Sequence, residues 1–263
     1  MSSHWYKKDG TTAYGASLKE AREMGYLPSV TTVDKVIANK GLEQWKIRQA
    51  VMSALTLDRI KCVATIEYPD GTKWQVEEPD DDYINRILDD SRQQARKAAK
   101  LGSVIHHLAE RTIKGKPLFF KGLRSDVWTL FKPLQKWIDD NILTGYSEKV
   151  LVNIEEGYAG KADFIGDLKD SNSVILDFKT RFIIPEDIKK NGEIKKAKLY
   201  DSDARQLSAL HNAEPYGDCI SVIISSNVDF AGVWIYNWPY AKIQKEYEVF
   251  KSALNIYRIT KGL

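Results

Sequence analysis

The chain is short of cysteine, of long apolar runs and of any surplus of charge. Two cysteines, Cys62 and Cys219, stand far apart in its 263 residues. They make no CxxC pair, no four-cysteine zinc site and no iron–sulfur cluster, and so low a number suits a reducing cytosol. No apolar stretch approaches the roughly 20 residues of a membrane span. The opening Met1-Ser2-Ser3-His4-Trp5-Tyr6 has neither a signal-peptide apolar region nor an Arg-rich presequence. Lysine and arginine number 39 against 36 aspartates and glutamates, a formal net charge of +3. That balance excludes a histone-like polycation, so any nucleic-acid surface has to be a local patch. The expectation is a soluble intracellular protein without membrane contact. It is long enough for one large domain or two small ones and for a core that needs no disulfide or metal.

What is present divides into three stretches. Up to about Gly102 the pattern is mostly helical. One helix is capped by Ser29 or Thr31 and turns Val33, Val36 and Ile37 inward. A second, about Leu42 to Arg59, is expected to bury Trp45, Ile47, Val51 and Leu55. Cys62–Tyr68 and Thr72–Val76 flank Pro69-Asp70-Gly71, a hairpin signal. The acidic run 77–82 then starts a helix that carries Arg92, Arg96, Lys97 and Lys100 near its end. The second stretch predicts helices over 103–113 and 125–142, with Pro133 a possible kink in the latter. From Lys149 the period changes from helical to extended. Strands are predicted over 149–154, 158–168 and 173–179, then an exposed basic loop over 181–199 and a helix over 202–213. Strands over 219–225 and 232–238 and a helix over 239–259 follow. The order from residue 103, α-α-β-β-β-α-β-β-α, is that of an α+β domain with a mixed sheet flanked by helices.

The sharpest chemical pattern is Gly160-Lys161-Ala162-Asp163 on one strand and Asp177-Phe178-Lys179 on the next. The period of two puts Asp177 and Lys179 on the same face, and a tight turn at 169–172 can set Asp163 beside Asp177. Two neighbouring carboxylates repel unless a cation lies between them, and hard divalent ions take oxygen ligands. A lysine beside such an ion can hold or activate a water or stabilise a phosphorane-like charge. A lone Asp-x-Lys is more often a pair of solvent-facing charges. Here the apolar run Val174-Ile175-Leu176 places it at the exposed end of a buried strand. On the helix over 103–113, His106 and Glu110 share a face at i and i+4. Such a histidine, taken alone, is more often structural than a ligand. Arg205 and Gln206 lie off the apolar face of the helix over 202–213, where they could hold phosphates or orient the lysine.

This ordered set resembles the PD-(D/E)XK nuclease superfamily. It comprises His106 with Glu110, Gly160-x-x-Asp163, Asp177-x-Lys179 with Thr180, and Gln206. Within the superfamily it is most similar to the RecB-type exonuclease branch, which includes phage exonucleases and the mitochondrial genome maintenance exonuclease. The likeness covers roughly residues 100–240, and Pro28-Ser29-Val30-Thr31-Thr32-Val33 extends it towards the N-terminus. It implies a restriction-endonuclease-like αβββαβ core over 101–263. Residues 1–100 would then form a helical segment with a hairpin, a possible cap that threads a strand. It implies Mg2+ or Mn2+ held by His106, Asp163, Asp177 and the Phe178 carbonyl. Lys179 would act on the attacking water, Gln206 would orient the site, and Glu110 would supply the acidic position of the helix.

The implied activity is metal-dependent hydrolysis of DNA, single-stranded or at ends, in replication, recombination or repair. The setting implied is a bacterial or phage-infected cytoplasm, with recombination or replication proteins as possible partners. DNA contacts are expected from a basic groove with aromatic platforms. The candidates are Arg96, Lys100, Arg181 and Arg205 with Trp45, joined by Arg92, Lys97 and the lysines of 189–198, and by Trp5 and Tyr6. Two departures stand out. Leu210 replaces the tyrosine that usually follows the glutamine by four residues, and the four cysteines of cluster-bearing relatives are absent. A structure-specific endonuclease, a non-catalytic DNA-binding accessory protein and a metal-binding structural domain remain alternatives.

Overall fold

The computed structural model describes residues 4–37, 40–118 and 125–263. They form two compact units, one of residues 1–37 with 101–263 and one of residues 38–100. Residues 1–100 were expected as one N-terminal segment, whereas the described residues up to 37 fold with the larger unit. The reason is apolar: Trp5, Val30 and Val33 are buried in that unit's core.

The larger unit opens with β1 (Trp5–Tyr6), β2 (Thr12–Ala13), α1 (Leu18–Met24), β3 (Leu27–Pro28) and α2 (Val30–Asp34). Ser29 caps α2, its hydroxyl accepting from the Thr32 N–H at 3.1 Å. Trp5 and Tyr6 were expected as base-stacking candidates, but both are buried in the small β2-β1-β3 sheet.

Residues 38–100 comprise α3 (Lys40–Thr56), the hairpin β4 (Ala64–Glu67) and β5 (Lys73–Val76), and the first part of α4 (Asp80–Ile113). The hairpin forms where the Pro-Asp-Gly turn puts it, pairing Ile66 with Trp74. The inward face expected for α3 is corrected: Ile47, Val51 and Leu55 are exposed and Trp45 is 37% exposed. This unit is tied chiefly by polar groups. The buried Glu78 carboxylate accepts from Arg86 at 2.6 and 2.8 Å and from the Ile60 N–H at 3.1 Å.

Helix α4 runs unbroken through Gly102, where two helices were expected. A glycine inside a helix costs about 1 kcal/mol relative to alanine. The flanking Ala98, Ala99, Lys100 and Leu101 are good helix formers, and no proline intervenes.

The larger unit continues with the end of α4, α5 (Ser125–Asn141), β6 (Ile142–Asn153), β7 (Tyr158–Leu168), β8 (Ser171–Arg181) and α6 (Asp201–Ala213). It ends with β9 (Cys219–Ser225), β10 (Val233–Asn237) and α7 (Tyr240–Lys261). The five long strands form one mixed sheet in the order β10-β9-β8-β7-β6, with β8 and β9 parallel and every other pair antiparallel. The parallel pair requires a crossover, and α6 supplies it. This is the expected α+β layout, with the αβββαβ order in place. Ile105, Phe131, Phe164, Leu176 and Val222 form one buried cluster, joining the end of α4 and α5 to the sheet. Ile165, Ile175, Leu207 and Phe250 belong to a second, under α6 and α7. The basic loop after β8 is not free: Ile183 and Ile194 are buried against Ile223. Among the described residues, no helix is long and apolar enough to cross a membrane.

Gly160 shows how tightly the second cluster closes. A Cβ at this position would lie 2.7 Å from Leu210 Cδ2 and 2.8 Å from Val30 Cγ2. Leu210, which stands where the resembling family carries tyrosine, is thus a packing residue. Gly160→Ala is expected to destabilise the fold by about 1–3 kcal/mol through overpacking, read as a lower urea midpoint at unchanged slope.

Candidate active site

The β7–β8 ladder reaches Phe164 opposite Leu176, and the next residues along are Asp163 and Asp177. At that point the strands stop pairing, which leaves the Phe178 N–H without a backbone acceptor on β7. Asp163 Oδ2 takes it at 2.7 Å. The splay that ends the ladder therefore also fixes one carboxylate beside the other strand. Asp163 Oδ1 lies 3.4 Å from His106 Nδ1 on α4, and the His106 ring stands edge-on to Phe178 at 6.0 Å.

On β8, Asp177 is 2% exposed. Its Oδ1 accepts from Lys179 Nζ at 2.9 Å, and Nζ also donates to Gln206 Oε1 on α6 at 2.9 Å. Asp177 Oδ2 lies 2.9 Å from the same ammonium but is buried without a hydrogen-bond partner. Asp163, Asp177, Lys179, Gln206 and His106 are thus brought to one place by α4, β7, β8 and α6.

The charges act on one another. Burial pushes the Asp177 carboxyl up to about 7, opposed by Lys179 and reinforced by Asp163 and Asp203. For Asp163, burial also raises the carboxyl, but the hydrogen bond and charge of His106, with Lys179 and the Phe178 N–H, leave it below its ordinary value. Burial lowers His106, and Asp163 more than offsets this, so the imidazole sits above its ordinary value. Lys179 is likewise lowered by burial and raised further by Asp177, Asp203 and Asp163. One carboxylate is held ionised while its neighbour resists ionisation.

The donor chemistry suits a hard divalent cation. Two adjacent carboxylates, Asp177 buried and Asp163 partly so, repel; one oxygen of Asp177 has no donor, and an imidazole stands next to Asp163. As they stand, no three His, Cys, Asp or Glu side chains among the described residues converge into a metal-binding group. His106 meets Asp163, while Asp177 leans on Lys179.

Most of the other expected site residues have partners of their own. Glu110 is engaged by Lys114 at 2.6 Å and lies 3.7 Å from His107 Nδ1. Arg181 and Arg205 are corrected as DNA contacts because both guanidiniums are buried in ion pairs. Arg181 donates to Asp203 Oδ2 at 2.5 Å and to the Lys198 carbonyl, and lies over the Tyr200 ring. Arg205 bridges Asp34 at 2.5 Å and Glu246 at 2.6 Å. Several loop lysines are also occupied locally, Lys189 by Glu193 and Lys198 by Asp187 and the Phe182 carbonyl. Arg96 and Lys100 are exposed on α4, with Arg96 3.1 Å from Asp89.

Two residues of this neighbourhood escaped the sequence pattern. Asp203 is a second buried aspartate beside Asp177, and its Oδ2 also accepts from the Tyr200 N–H at 3.2 Å. Its place in the first turn of α6 could have marked it as a capping acceptor. Glu148 lies in the β6 stretch between the Ser147–Phe164 and Lys149–Ala162 pairs, beside Asp163, in the left-handed region at φ 60°, and pairs with Lys161. Nothing in its sequence context signals that backbone.

No protein-family model matches the chain, and no curated protein matches it. Among solved structures it is similar to a protein of Eubacterium rectale provisionally named an exonuclease. That likeness spans 62% of this chain and 68% of the other, at 12% identity and a TM-score of 0.41. It is also similar to the protein SSO0001 over 48% of this chain and 57% of that one, at 19% identity and a TM-score of 0.29.

Proposed function

We propose that the protein is a divalent-metal-dependent deoxyribonuclease that removes nucleotides from single-stranded DNA or from DNA ends. The observation that carries this reading is the Lys179 ammonium, held by Asp177 and Gln206 at 2.9 Å each beside the Asp163–His106 pair. An ammonium has three donors. Two are committed to these acceptors, and the third is left to hold a water or a phosphate oxygen. Gln206 and Asp177 thereby aim that donor, and Gln206 acts as a positioning residue.

Asp163 and Asp177, with His106 and the Phe178 carbonyl, are the residues that would hold Mg2+ or Mn2+. When bound, the ion lowers the pKa of its water and offsets the charge that grows on the phosphate oxygens. The overall reaction is hydrolysis: water oxygen bonds to phosphorus, a P–O ester bond breaks, and the leaving oxygen takes a proton. Exposed Arg92, Arg96, Lys97 and Lys100, with Trp45, are the candidates for holding the strand in the unit of residues 38–100.

The test is a digestion of linear single-stranded, linear double-stranded and circular single-stranded DNA, with Mg2+, with Mn2+ and with EDTA. Stepwise loss of linear single strands with circles spared, abolished by EDTA, is the expected result. Cut circles would make the activity endonucleolytic. DNA binding without metal-dependent cutting would overturn the enzymatic reading.

A further inference from the structure

Beside Gln206 lies a cleft of about 260 Å³ between residues 4–14 and 29–31, β7 and α6. Its lining includes the exposed His4, Tyr14, Thr31 and Lys161, together with Gly160 and Gln206. The N-terminal segment is part of the larger unit, so the wall it builds is integral to the fold that carries the candidate active site.

Three features describe what fits there. Among the described residues the lining holds no carboxylate of its own; an ammonium, an imidazole and hydroxyls face the space, and Glu148 reaches only the Lys161 ammonium from outside the lining. That is a set of donors for an anion rich in acceptor oxygens. The Lys161 ammonium is kept at this place by its pair with Glu148. Next, Tyr14 follows β2 with its side chain 83% exposed, leaving an aromatic ring at the cleft with a free face. Finally, Gln206 lines the cleft and also accepts from Lys179 Nζ. Whatever occupies the cleft touches the group that positions the lysine. The volume is below the range of about 300–1,000 Å³ typical of drug-sized ligand pockets, and suits one nucleotide better than several.

We infer that this cleft is a nucleotide subsite. It takes the single nucleotide next to the one whose phosphodiester lies at Lys179, with its phosphate on Lys161 and Thr31 and its base stacked on Tyr14. The inference rests on the nuclease reading for the identity of the strand, but not for the cleft's preference for an anion with an aromatic partner.

Binding and cutting are measured separately. Anisotropy of a short fluorescein-labelled single-stranded oligonucleotide is followed in Ca2+ with EDTA-treated controls, for the wild type, Tyr14→Ala, Tyr14→Phe and Lys161→Gln. Tyr14 is exposed, so its variants are expected to fold, which circular dichroism checks. Tyr14→Ala is expected to weaken binding about 10-fold, the size of one lost stacked base, and Tyr14→Phe to restore it. Lys161→Gln is expected to reduce the slope of log affinity against log salt by about one. If Tyr14→Ala binds like the wild type, or if the wild type binds no oligonucleotide, the subsite is overturned. If binding depends on Tyr14 but no metal-dependent cutting occurs, the subsite stands and the nuclease reading falls.

Discussion

Lys179→Ala is expected to lower the rate of metal-dependent DNA hydrolysis by about 10²–10³-fold, the effect of losing one preorganised donor at a developing anion. DNA affinity should change little, because two of its three donors are committed to Asp177 and Gln206 and only one is left for the strand. A single-turnover rate beside an equilibrium binding curve separates the two. A variant that cuts at the wild-type rate would remove Lys179 from the reaction.

The same substitution has a stability signature with a definite sign. The Asp177 carboxyl is raised in the folded protein to about 7. A raised carboxyl means the folded state binds its proton more firmly than the unfolded chain does. The associated stability is present at low pH and is lost as pH rises from the ordinary carboxylate range through about 7. Lys179 opposes that loss by favouring the charged form. Without it Asp177 must ionise with no cation beside it, so the variant should approach wild-type stability near pH 5 and fall below it progressively above pH 7. Urea titrations across that range in EDTA check this. A deficit that grows towards low pH instead would show that the lysine is not what compensates Asp177.

Part of this candidate site is legible in the sequence. Asp177-x-Lys179 ends an apolar run, so the period of two and the end of burial together place both side chains on one face at a strand end. His106 and Gln206 stood out only through the resemblance, since a histidine at the rim of a helix's apolar arc and a glutamine off it are ordinary in any amphipathic helix. The β-meander, the crossover helix and the last two strands follow from turn residues and changes of period. What sequence patterns could not show is which partner a charge meets across the fold. Arg181 and Arg205 look like surface cations on the chain, yet one finds Asp203 and the other finds Asp34 and Glu246, 171 and 41 residues away. Periodicity placed α3 but not its burial: Ile47, Val51 and Leu55 recur every four residues, as an inward face would, yet all three are exposed. Glu148 needed a backbone conformation that residue type alone does not announce.

Arg205 yields the largest expected effect on stability. Its guanidinium links α2 to α7 through α6: Nε donates to Asp34 at 2.5 Å and Nη1 to Glu246 at 2.6 Å. Glu246 is buried as well and has Lys242 at 2.8 Å as its other cation. Arg205→Ala leaves these carboxylates facing each other with one cation fewer, and breaking a buried pair in this way costs about 3–5 kcal/mol. Arg205→Lys keeps the charge but cannot reach both acceptors with a planar fork, so a smaller loss is expected. Urea unfolding of the three proteins should therefore rank wild type, lysine, alanine. DNA affinity measured well below each variant's unfolding transition should be unchanged. A large loss of affinity in a still-folded Arg205→Ala would mean that the guanidinium leaves its carboxylates to meet the strand, and would return Arg205 to the DNA-binding surface. Because the fork joins the N-terminal segment to the helix that carries Gln206, its loss should also loosen the wall of the cleft beside the candidate active site. Faster hydrogen exchange over residues 29–37 than in the wild type is the expected trace of that coupling.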